Sequence, residues 1–482
     1  MAPIHVLSDD VLLEIFDFCV GQDGSRRFIF TKINREAWQT LVHVCKQWRN
    51  IVFGSPLRLN LALVCTAKTP TRNTLDVWPP LPLVIRSSGY YGTSSDFPKE
   101  SMDNIVAVLE RRDRVCEISL MGVPGSHLET LLAAVHKPFP KLTHIRLNSY
   151  GGPVIPESFL GGSAPRLQYI SLNGIPFPGL PKLLMSATHL VYLQILKIPH
   201  SGYIPPDTMA TTLSTLTSLE YLSLKFQSPQ SFPDQESQRP HPLTRSVLPV
   251  LADFTFKGVS EYLEYFVARV DAPQLSGLHI TFFNQIIFDT PQFIQFVNRT
   301  PTFKALQKAD VIFGDDTARV RLSLVSSLTS RYKGLYVKIP CRELDWQVSS
   351  LQQVCISSLL PLSTLEVLYI HKDPSSQPEW QDNIENAMWL ELLHQFPAVK
   401  NLHLCEEFAP RIVPALQELV GSRATEVLPN LQNIFLEELQ SLGPVQEGIQ
   451  QFVAARQVTS HPITVSRWDS AELDKFWGNL LY

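Results

Sequence analysis

The stretch Leu167-Gln168-Tyr169-Ile170-Ser171-Leu172 contains the pattern that decides the fold of this chain. An apolar residue is followed by two variable residues, a second apolar residue, one variable residue and a third apolar residue. The last two apolar residues lie two positions apart, so a β-strand would place both on one face. The pattern therefore predicts a short strand with one apolar face, preceded by a turn that the first apolar residue anchors.

The same pattern recurs in order beyond residue 100. Successive copies begin about 23 to 34 residues apart, with a weak copy at Leu306. The copies are Val115/Ile118/Leu120, Leu142/Ile145/Leu147, Leu167/Ile170/Leu172, Leu190/Leu193/Ile195, Leu219/Leu222/Leu224, Leu251/Phe254/Phe256, Leu275/Leu278/Ile280, Leu306/Ala309/Val311, Tyr332/Leu335/Val337, Leu365/Leu368/Ile370, Val399/Leu402/Leu404 and Leu431/Ile434/Leu436.

Helix-compatible stretches separate the copies, for example at 126–135, 208–216, 261–270 and 388–396. One strand and one helix per unit, stacked side by side, give an α/β fold with a parallel sheet and helices outside. The pattern resembles the leucine-rich repeat, although its period is looser. We therefore expect an irregular leucine-rich-repeat solenoid over 101–440. The alternative is a doubly wound α/β domain with chance spacing.

The first 60 residues have a different, helical pattern. Ser8 can cap a first helix, and Asp9 and Asp10 favour its N-terminus. A second helix begins after Asn34, and Gly54-Ser55-Pro56 ends it. Apolar side chains recur at helical spacing in both helices, and two short helices cannot bury all of them between themselves. Some of these side chains must therefore face another domain or another protein.

Two stretches within 4–60, Leu12-Leu13-Glu14-Ile15-Phe16 and Val44-Cys45-Lys46-Gln47-Trp48-Arg49, resemble the F-box. The chain departs from that family at Ser8, where a proline is usual, and in the long, basic stretch 21–34. The resemblance implies that apolar residues of both helices contact a Skp-type adaptor. The matching positions are Leu7, Leu12, Ile15, Phe16, Leu41, Val44, Cys45 and Trp48. The alternative is a helical cap on the downstream domain.

Together, the two patterns resemble fungal F-box proteins with leucine-rich repeats. The resemblance implies a substrate-recognition subunit of a cullin-RING (SCF-type) ubiquitin ligase, bound through its adaptor to cullin and RING subunits. Its repeats would hold a protein target for ubiquitin-dependent degradation, and the chain itself would not be an enzyme. Two alternatives stay open, namely a leucine-rich-repeat scaffold outside any ligase and an enzyme with an unrecognised site.

Composition limits the classes of function. A chain of 482 residues with 44% apolar residues can bury a large core, and a net charge of −4 does not indicate a nucleic-acid partner. The sequence shows no apolar run of about 18 residues, hence no membrane span, and no signal peptide. Seven scattered cysteines without a CxxC pair indicate reduced thiols in the cytoplasm or nucleus. Catalytic, cofactor-binding and metal-binding motifs are absent from the sequence.

The expected domain organisation has four parts. Residues 1–56 form the F-box-like helical module, and 57–100 form a transition with N-terminal cap strands, at 57–63 and at Leu83-Val84-Ile85. The solenoid over 101–440 contains a flexible insertion at 227–242, which is rich in proline, glutamine and serine. Residues 441–482 form a C-terminal cap with two short helical patterns.

Aromatic residues recur on the strand face opposite the apolar one. Tyr169, Tyr192 and Tyr221 precede the second apolar position of three consecutive copies, and Tyr336, Tyr369, His403 and Phe435 follow it in the last four. Four cationic or histidine residues lie two positions further on, at Lys225, Lys257, Lys338 and His371. Rings beside cations suit a binding surface for a target. The alternative is that neighbouring rings only stack across strands.

Overall fold

The computed structural model describes residues 7–20, 37–56, 58–66, 75–88, 99–149, 152–229, 245–283, 290–324, 333–356, 362–374, 376, 380, 384–437 and 443–468. The chain divides into two compact units, Met1–Tyr203 and Ile204–Tyr482. Most of the predicted insertion at 227–242 lies outside the described residues. Across these ranges, no helix is both long and apolar enough to cross a membrane.

The first unit begins with the N-terminal helical segment, which comprises α1 (Asp9–Val20), α2 (Ala37–Val42) and α3 (Lys46–Gly54). The amide of Val11 donates to Ser8 Oγ over 3.5 Å, and the amide of Trp48 donates to Cys45 Sγ over 3.5 Å, so side chains cap α1 and α3. Each helix contacts the other two. Trp38 is fully buried, and its indole N–H donates to the Ala62 carbonyl over 3.1 Å.

The rest of the first unit alternates strands and helices. Its six strands pair in chain order and all are parallel. The elements are β1 (Leu63–Thr66), β2 (Leu83–Ser88), α4 (Lys99–Leu109), β3 (Val115–Met121), α5 (Gly125–Ala134), β4 (His144–Asn148), β5 (Tyr169–Asn173), α6 (Leu180–Ser186) and β6 (Tyr192–Ile198).

The second unit continues the same alternation. Its elements are α7 (Pro206–Leu213), β7 (Tyr221–Phe226), β8 (Ser246–Val247), β9 (Asp253–Gly258), α8 (Ser260–Val267), β10 (Val270–Asp271), β11 (Gly277–Phe282), α9 (Pro291–Arg299), β12 (Lys308–Phe313), β13 (Thr317–Ser323), β14 (Gly334–Pro340), α10 (Leu344–Ile356), β15 (Val367–Lys372), α11 (Asn386–His394), β16 (Asn401–Leu404), α12 (Ala409–Gln417), β17 (Asn433–Leu436), α13 (Pro444–Val458) and β18 (Thr464–Arg467). The two shortest strands, β8 and β10, pair with each other alone.

The main sheet of the second unit runs in the order β7-β9-β11-β14-β13-β12-β15-β16-β17-β18. Helices cover one of its faces: the ring centroids of Phe254 on β9 and Phe266 on α8 lie 5.5 Å apart, and those of Phe313 on β12 and Trp389 on α11 lie 5.9 Å apart. The second and third apolar residues of all twelve sequence copies lie on strands and are buried. The predicted mixed α/β fold with a mostly parallel sheet is therefore confirmed.

One part of this sheet departs from the expected succession of parallel strands. β13 lies between β12 and β14 and is antiparallel to both. The copies at Leu306 and Tyr332 consequently do not form neighbouring strands, because β12 pairs with β15 while β14 pairs with β11. The turn at Gly314, whose amide donates to the Thr317 carbonyl over 2.9 Å, reverses the chain too tightly for a parallel crossover.

Three other expectations need correction. The single second helix expected between Asn34 and Gly54 is instead two helices, α2 and α3, with a turn at residues 43–44 between them. The strand expected at 57–63 begins only at Leu63, as β1, because residues 58–60 form a turn; Leu57 lies outside the described residues.

After residue 443 the described chain forms one long helix, α13, followed by the strand β18; the second predicted helical pattern, which ends at Phe476-Trp477, lies outside the described residues. β18 pairs with β17 and extends the sheet, so hydrogen bonding to the last repeat strand decides its conformation. Residues 469–482 lie outside the described residues.

Candidate functional site

The predicted adaptor-contacting residues divide into an inner and an outer set. Leu12, Phe16 and Leu41 are buried within the first unit. The rings of Phe16 and Trp48 contact each other with centroids 4.7 Å apart, which packs α3 against α1. These buried side chains hold the helices together.

The outer set faces solvent. Ile15 is 41% exposed and Val44 is 58% exposed. Val11 and Phe18, at helical spacing from Ile15, are 45% and 68% exposed, so one face of α1 is apolar and open. The other predicted positions, Leu7, Cys45 and Trp48, are half-buried. The structure therefore separates the apolar residues of α1 into a packing face and an open face.

Polar contacts fix the orientation of the open face. The Gln47 amide Nε2 donates to Asp9 Oδ1 over 3.2 Å, which ties the start of α3 to the start of α1. Arg58 forms an ion pair with Glu14 on α1. Both contacts are exposed and are worth little stability. Their effect is to hold α1 in one register against its neighbours.

The packing face and the open face should respond differently to truncation. We expect Phe16→Ala to lower the free energy of local opening by about 3–5 kcal/mol, because it leaves a cavity beside Trp48. Ile15→Ala removes an exposed side chain and should change the same quantity by less than about 0.5 kcal/mol. Native-state hydrogen exchange of the α1 amides measures both values. Equal losses in the two variants would contradict the assignment.

The structure brings together three of the four residues of the predicted C-terminal aromatic ladder. Tyr369, His403 and Phe435 occupy directly paired positions on β15, β16 and β17. Their rings are stacked, with centroids 4.1 Å apart for the first pair and 4.3 Å for the second. We call these three residues the ring row; it lies on the sheet face opposite the helices.

Tyr336 is not part of the ring row. Two strands separate it from Tyr369, and the residues at the equivalent positions are Arg321 on β13 and Asp310 on β12. Both charged side chains are buried, and burial lowers the pKa of Arg321 and raises that of Tyr336. Tyr336 instead contacts His279, with ring centroids 5.6 Å apart. The ladder that the sequence predicts as continuous is therefore interrupted by buried charges.

Two side chains cover one end of the ring row. Lys308 lies over the ring of Tyr369, 4.1 Å from its centroid, and pairs with Asp310 over 3.2 Å. Trp468, just after β18, meets His403 edge-on with ring centroids 5.4 Å apart. Its indole N–H donates to the Leu404 carbonyl over 3.2 Å. Lys308 and Trp468 thus cover the rings of Tyr369 and His403, and Phe435 lies at the other end of the ring row.

The tyrosine trio of the first unit is also only partly assembled. Tyr169 and Tyr192 occupy paired positions on β5 and β6, and their rings stack with centroids 4.4 Å apart. His144 on β4 stacks on Tyr169 from the other side at 5.8 Å. Tyr169 is buried, so this stack is mainly a packing feature of the sheet. Tyr221 lies on β7, in the second unit.

Burial lowers the pKa of His403 to about 4, and the positive charge of Lys308 acts in the same direction while Asp310 opposes it. His371, predicted as part of a basic margin, is buried, and burial lowers its pKa as well. Both imidazoles are therefore neutral at physiological pH. The basic margin consists of the three lysines alone.

The ring row should make stability depend on pH. An unfolded histidine has a pKa of about 6.5. Because the folded His403 has a lower pKa, the unfolded chain binds more protons between pH 6.5 and 4, and stability is lost as the pH falls through this window. His403→Phe keeps a ring in the row and removes this titration. We expect the loss of unfolding free energy between pH 7 and 4.5 to become smaller in that variant.

Denaturant titrations at several pH values measure the effect. The decline should not vanish, because His371 titrates in the same direction and remains. Parallel curves for the wild type and His403→Phe would contradict the claim that this imidazole is buried neutral.

Three possible metal donors lie together after β16 and β17. One donor atom from each of Cys405, Glu407 and Glu437 falls within 4.8 Å of the others. Burial raises the pKa of Cys405 to about 12, so its thiol is protonated, and Lys372 already pairs with Glu407. A metal ion needs the thiolate, so this donor set is a poor ligand group.

The structure shows residues that the sequence patterns missed. Arg319, Arg321 and Lys308 line the open face of β12 and β13, and Trp468 crosses the ring row. Alternation within Thr317-Ala318-Arg319-Val320-Arg321-Leu322 was the available signal for β13, because it has the period of a half-buried strand. No local signal marks Trp468, whose contacts are 64 residues distant along the chain.

Comparison with known proteins gives no direct match: neither a protein-family model nor a curated protein matches this chain.

Proposed function

We propose that this chain is the substrate-recognition subunit of a cullin-RING (SCF-type) ubiquitin ligase. In this proposal the N-terminal helical segment is an F-box-like module that binds a Skp-type adaptor. The observation that carries the proposal is the open apolar face of α1, formed by Val11, Ile15 and Phe18 in the segment where the sequence resembles the F-box. Contiguous exposed apolar surface of this kind marks interaction sites.

The inner and outer sets of side chains have separate roles in this proposal. Phe16 and Leu12 hold α1 against its neighbours and keep the open face in shape. Ile15 and Val44 contact the adaptor, together with Val11 and Phe18. Each large apolar side chain that the adaptor covers fully would contribute at most about 1.5–3 kcal/mol, part of which offsets the entropy cost of association.

The strand–helix units support the second half of the proposal, an irregular leucine-rich-repeat solenoid that holds a protein target. Among the residues that the structure describes, helices lie on one face of the second unit's main sheet, and the ring row and the lysines lie on the other face. The target would bind there, with the half-buried Phe435 at the end of the ring row beside β18 as one of its contacts. Ubiquitin transfer itself would be performed by a separate enzyme of the assembly.

The adaptor contact is tested with the pair Ile15→Asp and Val44→Asp. Both residues are exposed, so the folded state should persist. In the complex, each change places an unpaired carboxylate in an apolar contact. We expect the affinity of the full chain for a purified Skp-type adaptor to fall by at least about 100-fold, measured by calorimetry.

The matched control is Val154→Asp, which alters a valine that is 50% exposed elsewhere in the first unit. It should leave adaptor affinity unchanged. If the wild-type chain fails to bind any Skp-type adaptor, the ligase role is wrong and the scaffold alternative is favoured. If the double variant binds as tightly as the wild type, the adaptor does not use the open face of α1.

The target surface is tested with Tyr369→Ala combined with Phe435→Ala. A true contact site should lose about 2 kcal/mol or more of target binding, roughly 30-fold in affinity, whereas loss of ring stacking costs under about 1 kcal/mol of stability. The measurement is affinity capture from cells in which the proteasome is inhibited. The amount of each captured protein is compared between the wild type and the double variant. Trp346→Ala, which removes an exposed ring from α10, is the control. If the double variant captures the same proteins as the wild type, the target binds at another site.

A further inference from the structure

Three lysines occupy equivalent positions on the open sheet face of the second unit. Lys225 on β7 is directly paired with Lys257 on β9, and Lys257 is paired with Thr281 on β11. Thr281 is in turn paired with Lys338 on β14. We call Lys225, Lys257 and Lys338 the lysine row; it lies near the carboxyl ends of its strands.

The spacing of the lysine row is set by the sheet. Neighbouring strands lie about 4.8 Å apart, so the backbones at Lys225 and Lys257 are adjacent and Lys338 lies about 10 Å beyond. Like charges placed directly opposite on neighbouring strands destabilise a sheet. The arrangement therefore costs folding free energy unless an anion compensates for it.

Within the described part of the chain, no carboxylate forms an ion pair with a member of the lysine row. Other cations on the same face are paired: Lys308 lies 3.2 Å from Asp310, and Arg319 lies 2.6 Å from Asp373. Lys308 and Arg319 thus have carboxylate partners within ion-pair distance, whereas the lysine row has none among the described residues; Lys257 lies over the ring of Phe283, 5.3 Å from its centroid.

The lysine row is half-buried, which increases its need for a counter-charge. Burial lowers the pKa of Lys225, and the charge of Lys257 lowers it further. Burial likewise lowers the pKa of Lys338, with Arg319 acting in the same direction, while the carboxylates of Asp316 and Asp373 oppose the shift. A bound anion would favour the charged form of both side chains.

The number of charges indicates the class of anion. A carboxylate supplies one negative charge, whereas a phosphate monoester carries about −1.5 to −2 at neutral pH and offers three acceptor oxygens. Lysine binds phosphate as a mobile point charge, and flexible side chains can converge on one group between the strands. The hydroxyl of Thr281 lies between Lys257 and Lys338 in the same row and supplies a neutral donor.

We propose that Lys225, Lys257 and Lys338 form a binding site for the phosphate groups of a multiply charged ligand. The ligand is a small diphosphate or a phosphorylated protein segment, which share this chemistry. The site is independent of the adaptor contact, but it lies on the same open sheet face that the proposed function assigns to the target, so a phosphorylated segment bound here would be part of that target. It lies on strands β7, β9 and β14, apart from the ring row on β15 to β17.

The test measures ligand-induced stabilisation of the full chain at constant ionic strength. The probes are pyrophosphate, a doubly phosphorylated serine peptide and the same peptide without phosphate. We expect pyrophosphate or the phosphopeptide to raise the melting temperature and to bind in calorimetry, while the unmodified peptide does neither. Tighter binding of the phosphopeptide would identify a protein segment as the source of the phosphate, and tighter binding of pyrophosphate would identify a small molecule.

The decisive variant is Lys225→Met with Lys257→Met, and the matched control is Lys304→Met, an exposed lysine of the same unit. The double variant should bind the phosphate probe at least tenfold more weakly, and without ligand it should melt at the wild-type temperature or higher, because the repulsion is removed. The control should bind as the wild type does. Failure of both phosphate probes to bind, or equal binding by the double variant, would overturn the proposal.

Discussion

The structure depends on one constraint, the burial of two apolar side chains from each strand of the twelve sequence copies against the helix layer. Phe254, Leu278 and Leu335 show it directly: they occupy paired positions on β9, β11 and β14, and each is at most 1% exposed. A strand of four to seven residues cannot bury these side chains alone. Each strand therefore needs its neighbours, and the opposite side chains of the same strands are left to form a functional face.

This constraint explains what the sequence predicted well. The apolar spacing identified a strand at every copy, and the stretches between copies contain helices such as α5, α7, α8 and α11. Local capping groups also placed α1, because Ser8 and the two aspartates that follow it lie just where the helix begins. These signals are local and periodic, so the sequence carries them without any knowledge of tertiary contacts.

Strand order and site geometry needed tertiary information. The antiparallel β13 separates Tyr336 from Tyr369, so one predicted ladder became a shorter ring row beside buried charges. Apolar spacing also marked Leu12 and Ile15 alike, whereas the contacts of Phe16 with Trp48 decide which face of α1 is buried. Periodicity identifies apolar residues, and only packing shows which of them stay available for a partner.

In the proposed function, the first unit binds the adaptor through the open face of α1. The second unit binds the target through its open sheet face. The adaptor contact is the central claim, and site-specific photo-crosslinking tests it most directly. A photoreactive amino acid replaces Phe18 on α1 in one full-length variant and Trp346 on α10 in another, since both side chains are exposed. With a Skp-type adaptor present, we predict a covalent adduct from position 18 and none from position 346. No adduct at position 18, or equal adducts at both positions, would contradict the account.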